Sequence, residues 1–278
     1  MNLCTKSSGI EAIEEPLDDS LDADAHTPTV AERFEAPTEQ VYAEDMSTDE
    51  PMHLPLLHDS PPPQTDGKTL LRGWLHVGVL PIAVIGGLVL VALADGVAAT
   101  WSSFVFVLSS LLLFGISATY HRFNWSPPVK AVFRRLDHAN IFILIAGTYT
   151  PLGVLALPAD KGFWLLLGVW IGAGLGIVFR VVWLGAPRWA YVPLYLILGL
   201  VSVVYIPDLA AANLAMLVLV LSGGLAYVIG AVVYGLKRPN PFPGIFGFHE
   251  VFHALTVVAF LCHWTAILLV AIDPPFAG

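Results

Sequence analysis

The chain has 278 residues, of which 56% are hydrophobic and only 13% are charged. Soluble globular domains usually carry about 25% charged residues, so this composition excludes an ordinary soluble fold. The net charge of −9 combines two unlike parts, because residues 1–66 hold 16 acidic and 2 basic side chains, whereas residues 67–278 hold 6 acidic and 11 basic ones.

Residues 1–68 form an acidic, proline-rich segment with three consecutive prolines at 61–63. A segment of this composition cannot bury enough apolar surface to offset the entropy that ordering would cost. We therefore predict a disordered tail. Its acidic charge is typical either of an interaction segment for a basic partner or of a solvated spacer, and the composition favours the spacer.

Seven apolar runs follow the tail, each close to the roughly 20 residues that cross a bilayer as a helix. They cover residues 72–94, 98–121, 136–157, 162–184, 189–207, 210–236 and 247–271. In the fourth run, Gly168, Gly172 and Gly176 recur every four residues, a spacing that favours close helix packing. The predicted fold class is all-α, with residues 69–278 forming a polytopic bundle of seven transmembrane helices.

The basic residues are unevenly placed with respect to these spans. With seven spans, the N-terminal flank and every second loop share one side of the membrane, and that side holds ten of the eleven Lys and Arg residues after residue 66. Only Lys161 falls on the other side. Since Lys and Arg accumulate in cytoplasmic loops, we expect a multi-pass protein of the cell (inner or plasma) membrane with a cytoplasmic N-terminus.

Histidines and one aspartate gather at the cytoplasmic ends of three predicted spans. Ser117 and His121 are four residues apart at the end of the second span, and Asp137 opens the third. His249 and His253 open the seventh span on one helix face, about 6 Å apart along the axis. Because the second span ends at the side where the other two begin, all these side chains are expected at one depth of the bilayer.

Three neutral imidazoles with a water molecule or a carboxylate are the ligand set typical of tetrahedral zinc with an open catalytic position. The predicted metal ligands are His121, His249 and His253. Taken singly, each could instead be an interfacial histidine with hydrogen-bonded ring nitrogens. We keep that ordinary interpretation for His76, His138 and His263; the last lies fourteen residues, or roughly 21 Å, beyond His249.

The stretch His249-Glu250-Val-Phe-His253 also matches the HExxH pattern of zinc proteases, in which the Glu is the general base. Such a protease needs a third ligand downstream, but Asp273 falls at the opposite membrane face. We therefore expect Glu250 to support the site or to lie at the interface, not to act as the base.

Three motifs, taken together, resemble the hemolysin III family, the bacterial branch of the progestin and adipoQ receptor group within a wider alkaline ceramidase-like superfamily. They are Ser117-Ala-Thr-Tyr-His121, Leu136-Asp137-His138-Ala-Asn-Ile-Phe142 with Ala146-Gly147-Thr148-Tyr149-Thr150-Pro151, and His249-Glu250-Val-Phe-His253. The resemblance covers residues 70–272. It implies a seven-helix membrane protein with its N-terminus inside, zinc held by the three histidines, Asp137 positioning the water at the fourth site, and Ser117 hydrogen-bonding nearby.

The chain departs from that family at the start of the first span. Many members carry an acidic residue, an Asn and a Thr-His pair there, whereas this chain has Arg72-Gly-Trp74-Leu-His76 without the acid or the Asn. The acidic tail also lies outside the resemblance.

The leading functional hypothesis is a zinc-dependent membrane hydrolase of a lipid-like amide or ester, with Asp137 and Ser117 as the catalytic residues. The alternative is a non-catalytic membrane sensor or a cytolytic, hemolysin-type protein, whose structural zinc would be closed by four protein ligands. A transporter would need ionisable residues near the bilayer midplane, where His263 is the remaining candidate. The expected partner is a membrane lipid, and nothing in the sequence indicates nucleic acid or a particular protein partner.

Overall fold

The structure is a computed structural model and describes residues 69–276. The tail predicted to be disordered, residues 1–68, lies outside the described residues.

Within residues 69–276 the chain forms helices and no extended strand. The helices are α1 (Trp74–Leu93), α2 (Gly96–Arg122), α3 (Pro127–Leu155), α4 (Ala159–Val182), α5 (Arg188–Gly199), α6 (Ile206–Ala212), α7 (Leu214–Leu236) and α8 (Phe248–Ile272). A 3₁₀ turn, Val201–Tyr205, joins α5 to α6, and together they form the fifth span. Seven helical segments are thus long and apolar enough to cross a membrane, which confirms the predicted all-α membrane bundle.

The third helix begins earlier than its hydropathy predicts. The apolar run starts at residue 136, but α3 starts at Pro127. Proline fits the first turn of a helix because its fixed φ is already helical and its missing N–H has no partner there anyway. Asp137 therefore lies well inside α3 and does not open it, contrary to the prediction.

The predicted boundary between the fifth and sixth spans is also wrong. The sequence pattern ends the fifth span at 207 and begins the sixth at 210, whereas the break lies at Asn213. The Oδ1 atom of Asn213 accepts a hydrogen bond of 2.9 Å from the backbone N–H of Met216 and so caps α7. Asn is among the preferred N-cap residues, and this local hydrogen bond outweighs the apolar pattern around it.

Helices that follow one another along the chain pack together, and α1 also packs against α8. The third helix is the central one. In its apolar stretch 67% of the residues are buried inside the protein, whereas the figure for the fifth span is 17%. Large apolar side chains such as Ile85, Leu88 and Leu175 are exposed on the outside of the bundle. An apolar exterior of this kind suits lipid contact, and the protein is a multi-pass membrane protein.

Hydrogen bonds tie the residues on either side of α1 to the two ends of α8. At one end the Glu250 carboxylate accepts hydrogen bonds from Thr69 Oγ1 at 2.5 Å, from Arg72 Nε at 2.7 Å and from the Gly247 backbone N–H at 2.8 Å. At the other end the backbone N–H of Asp95 donates to the carbonyl of Ala271 at 2.7 Å. The end at Glu250 is called the histidine end below, because the histidines of the candidate site lie there.

Candidate metal site

Three histidines meet at the histidine end of the bundle. His121 lies in the last turn of α2, and His249 and His253 lie in the first turns of α8. One ring nitrogen from each lies within 4.8 Å of the others, and the Nε2 atoms of His121 and His249 are 3.3 Å apart. The structure therefore brings together the three histidines that the sequence singles out as metal ligands.

The entry into α1 needs a glycine to approach this site. Gly73 has a φ of 81°, in the left-handed region, and a Cβ atom added there would lie 2.8 Å from the Cβ of His121. Any side chain at this position would collide with α2. Gly73 thus lets the segment before α1 pack directly beside His121.

Asp137 stands next to the histidines although it comes from the interior of α3. Its Oδ2 atom is 3.8 Å from His121 Nε2, and the side chain of Ser117 faces its carboxyl group. Ser117 and His121 are both buried and lie one turn apart on α2. All five residues expected at the site, Asp137 and Ser117 included, are therefore neighbours.

The spacing between two of the three histidines fits a tetrahedral metal ion. With metal–nitrogen distances of about 2.0–2.1 Å, two ligand nitrogens at a tetrahedral angle lie about 3.3–3.4 Å apart. The His121 and His249 nitrogens have this spacing, at 3.3 Å. Imidazole nitrogens with a carboxylate nearby are donors that Zn²⁺ favours, so these residues can hold such an ion.

His76 is a fourth imidazole at the site, and the interpretation given to it from the sequence is wrong. We predict an interfacial histidine with hydrogen-bonded nitrogens, but His76 is buried and neither ring nitrogen has a partner among the described residues. Its ring instead stacks on that of His253, with centroids 4.0 Å apart and planes 5° from parallel. The spacing of residues in the sequence could not show this stack.

The other two histidines fit the ordinary interpretation in part, because each has one ring nitrogen in a polar contact, whereas Nδ1 of the buried His263 has no partner among the described residues. His138 Nδ1 lies 3.1 Å from Arg180 Nη2, and His263 Nε2 lies 3.2 Å from the carbonyl oxygen of Val220. Neither belongs to the three-histidine cluster.

Glu250 does not share the site with the histidines that flank it in sequence. Its carboxylate is almost fully buried and accepts hydrogen bonds from Thr69, Arg72 and Gly247. This matches the expectation of a supporting residue, and a carboxylate held by three donors at the start of α8 is poorly placed to be the general base of an HExxH protease.

An apolar cavity extends from the histidines into the bundle. Its polar lining at the histidine end comprises His76, Ser117, Asp137, His138, His249 and His253. Thr148, Thr256 and His263 line it further in, and the ten residues from His253 to His263 correspond to about 15 Å along α8. The two threonine hydroxyls donate to carbonyls of their own helices, so they leave the cavity largely apolar. Its shape and lining can take an extended apolar chain.

The similarity to known proteins covers most of the residues that form the helices. The family model described as haemolysin-III related matches residues 67–264. The hemolysin-3 homolog of Bacillus subtilis is 28% identical over 204 residues, which cover 72% of this chain and 92% of that protein. Hemolysin-3 of Bacillus cereus is 33% identical over 178 residues, 63% of this chain and 78% of that protein. The adiponectin receptor protein of Drosophila melanogaster is 26% identical over 195 residues, 58% of this chain but only 40% of that protein.

Proposed function

The chain belongs to the haemolysin-III-related family, and from this premise we propose that it is a zinc-dependent membrane hydrolase acting on a lipid-like amide or ester. The observation that carries the proposal is the meeting of three imidazoles and one carboxylate beside an apolar cavity, which His249, His253 and Asp137 line. A lipid whose acyl chain fills that cavity would present its carbonyl group to the histidines.

We assign the ligand positions to His121, His249 and His253. When bound there, a zinc ion makes a water molecule nucleophilic at neutral pH and polarises a substrate carbonyl. Asp137, whose carboxylate lies beside His121, would orient that water and accept its proton. Ser117 faces Asp137 and is placed to donate a hydrogen bond to the carboxylate or to the oxyanion of the substrate.

We also propose that the histidine end faces the cytoplasm. The support is the placement of the Lys and Arg residues, ten of which fall on the side of the N-terminus. An impermeant thiol reagent should then label Cys4 in inverted membrane vesicles and leave it unlabelled in intact cells. Labelling of Cys4 in intact cells would reverse the orientation.

The proposed function is tested by metal content and turnover in matched variants. Asp137→Ala should retain zinc but lose turnover, because the carboxylate handles the proton while the histidines keep the ion. His253→Ala should lose both. His263→Ala is the control, since it lies in the same cavity about 15 Å from His253 and should keep its zinc.

The measurements are elemental analysis of the purified full chain and release of fatty acid from lipid amides and esters. Purified wild-type protein without zinc would refute the proposal. Comparing the lipid profiles of cells that carry the wild type or Asp137→Ala would identify the substrate class.

A non-catalytic protein with a structural metal ion is the second candidate function. Two observations favour it: Asp137 lies close enough to His121 to approach a fourth ligand position, and the relatives are named as hemolysins and as an adiponectin receptor. X-ray absorption spectroscopy separates the two functions. Three nitrogens and a water oxygen support the hydrolase, whereas coordination by Asp137 itself supports a closed structural site.

A further inference from the structure

A second cavity, polar and about 650 Å³ in volume, opens at the histidine end. We call it the basic vestibule, and the charged residues that line it are Arg72, Lys130, Arg134, Arg180, Arg188 and Asp137. It shares part of its wall with the apolar cavity, namely Asp137, His138, Tyr191, Tyr234 and His249. The two cavities therefore meet beside the histidine cluster, one cationic and the other apolar.

The positive charge of the basic vestibule is not balanced by the described residues. Arg72 forms an ion pair with Glu250, which does not itself line the basic vestibule. No ion pair joins any of the other four cations to a carboxylate within residues 69–276, and Asp137, the one acidic residue of the lining, approaches His121. Excess positive charge in a partly enclosed cavity attracts an anion.

Arg180 is the cation that distinguishes this cavity from an ordinary membrane flank. Basic residues that only orient a membrane protein lie exposed, as Lys237 and Arg238 do, but Arg180 is 1% exposed. Its guanidinium donates to His138 Nδ1 at 3.1 Å and to the Trp183 carbonyl at 3.4 Å, and it covers the ring of Tyr191 at 4.2 Å. Its Nε–H has no partner among the described residues.

None of these contacts supplies a negative charge. Arginine only donates hydrogen bonds, so His138 Nδ1 must accept and is unprotonated, and the carbonyl and the phenol ring are neutral. A buried guanidinium without a counter-ion is costly, and the cost is offset when an anionic group enters the cavity.

We propose that the basic vestibule binds the phosphate group of a lipid whose acyl chain occupies the apolar cavity. Phosphate offers several oxygens at once to the donor forks of Arg180 and Arg188, which is the chemistry that arginine clusters recognise. Lys130 and Arg134 are exposed at the mouth and draw the headgroup in. The wall shared with the apolar cavity favours a phosphorylated lipid over a soluble phosphate compound.

As a statement about the substrate, this inference rests on the proposed hydrolase, because the ester or amide would then lie between the phosphate and the acyl chain, next to the histidines. As a statement about a binding site, it stands without any chemistry at the metal.

The test uses the full chain in detergent and measures lipid retention by native mass spectrometry. The probes are palmitoyl lysophosphatidate and monopalmitoyl glycerol, which differ in the phosphate, together with inorganic phosphate alone. Wild type should retain the phosphorylated lipid at least roughly tenfold more strongly, as expected for charge-assisted hydrogen bonds. Arg180→Gln and Arg134→Gln should each reduce that preference several-fold.

Arg122→Gln is the matched control, because it removes the same charge at the same end from a residue that does not line the basic vestibule. It should leave the preference unchanged. Arg134 is exposed, so its substitution does not disturb the core and tests the site even if Arg180→Gln does not fold.

Equal retention of the two lipids by the wild type would overturn the inference. So would displacement of lysophosphatidate by an equal concentration of inorganic phosphate, because the ligand would then be a soluble phosphate compound. Zinc content is measured in the same samples. Phosphate-dependent retention without zinc refutes the hydrolase and leaves the phosphate site. Zinc with equal retention of the two lipids refutes the phosphate site and leaves the hydrolase.

Discussion

His76 is held by the faces of its ring and not by its nitrogens. One face stacks on His253, and the ring of Phe114 lies roughly perpendicular to that of His76 with centroids 5.1 Å apart. His253 is a proposed metal ligand, so the stack fixes the plane of a ligand ring from a neighbouring helix. Loss of a group that orients a metal ligand commonly lowers metal affinity by about 10–100-fold.

Substituting His76 separates the effect of the ring from that of its nitrogens. His76→Phe keeps an aromatic ring against His253 and should keep the metal affinity, whereas His76→Ala removes the stack and should weaken it roughly tenfold. Zinc titration against a competing chelator measures both. If the two variants lose affinity equally, the nitrogens and not the stack are what the site needs.

The part of the site that can be predicted is the part that residue spacing encodes. Two histidines four apart on one helix must share a face, and the alternation of spans brings His121 to the same depth. The stack of His76 was not predictable because it depends on α1 lying beside α8, which no spacing shows. The charge pattern places Arg180 at the membrane flank, and only its packing against His138 and Tyr191 reveals that it is buried.

The start of α8 depends on one carboxylate that serves three donors. Glu250 caps the helix through Gly247 and holds α1 through Arg72. Glu250→Gln should lower the stability of the bundle by roughly 3 kcal/mol, because Arg72 loses the partner of a largely buried ion pair. Thermal unfolding in detergent measures this, and zinc should still bind below the transition.

The control for Glu250→Gln is Asp273→Asn, which removes the same charge at the exposed far end of α8 and should be neutral. An unchanged melting temperature with turnover abolished would contradict this role, since that is the behaviour of a general base in an HExxH site.

The three glycines that recur every four residues in α4 are not equivalent. A Cβ at Gly176 would overlap the ring of the buried Phe142 on α3, whereas a Cβ at Gly168 would meet nothing within 4 Å. Gly176→Ala should therefore destabilise the bundle by about 1–3 kcal/mol through overpacking. Gly168→Ala should be neutral or slightly stabilising, since Ala is the better helix former. Paired melting curves measure the contrast, and equal melting temperatures would show that α3 and α4 are not closely packed at Gly176.

Hydropathy locates all seven spans but not the residues at which each span begins and ends. The length of an apolar run reflects only the residues inside the bilayer. The third helix extends beyond its apolar run, because it begins with the basic residues before residue 136. The break at Asn213 is set by a single side-chain hydrogen bond inside an apolar stretch, which an average over many residues conceals.

The molecule as a whole keeps the candidate site and the acidic tail in separate parts of the chain. Every residue assigned to the site falls within 69–276. Deletion of residues 1–66 should therefore leave the zinc content of the purified protein unchanged, within the error of elemental analysis. Loss of zinc on deletion would show that the tail contributes to the site.

The order in which the helices are synthesised bears on when the proposed metal site can form. Chains emerge N-terminus first, so α8 enters the membrane after the other helices of residues 69–276. Two of the three ligand imidazoles and the carboxylate that holds Arg72 arrive with it. A nascent chain that stops before residue 248 would carry one of the three proposed ligand imidazoles, so the proposed metal site would form only after α8 has been made.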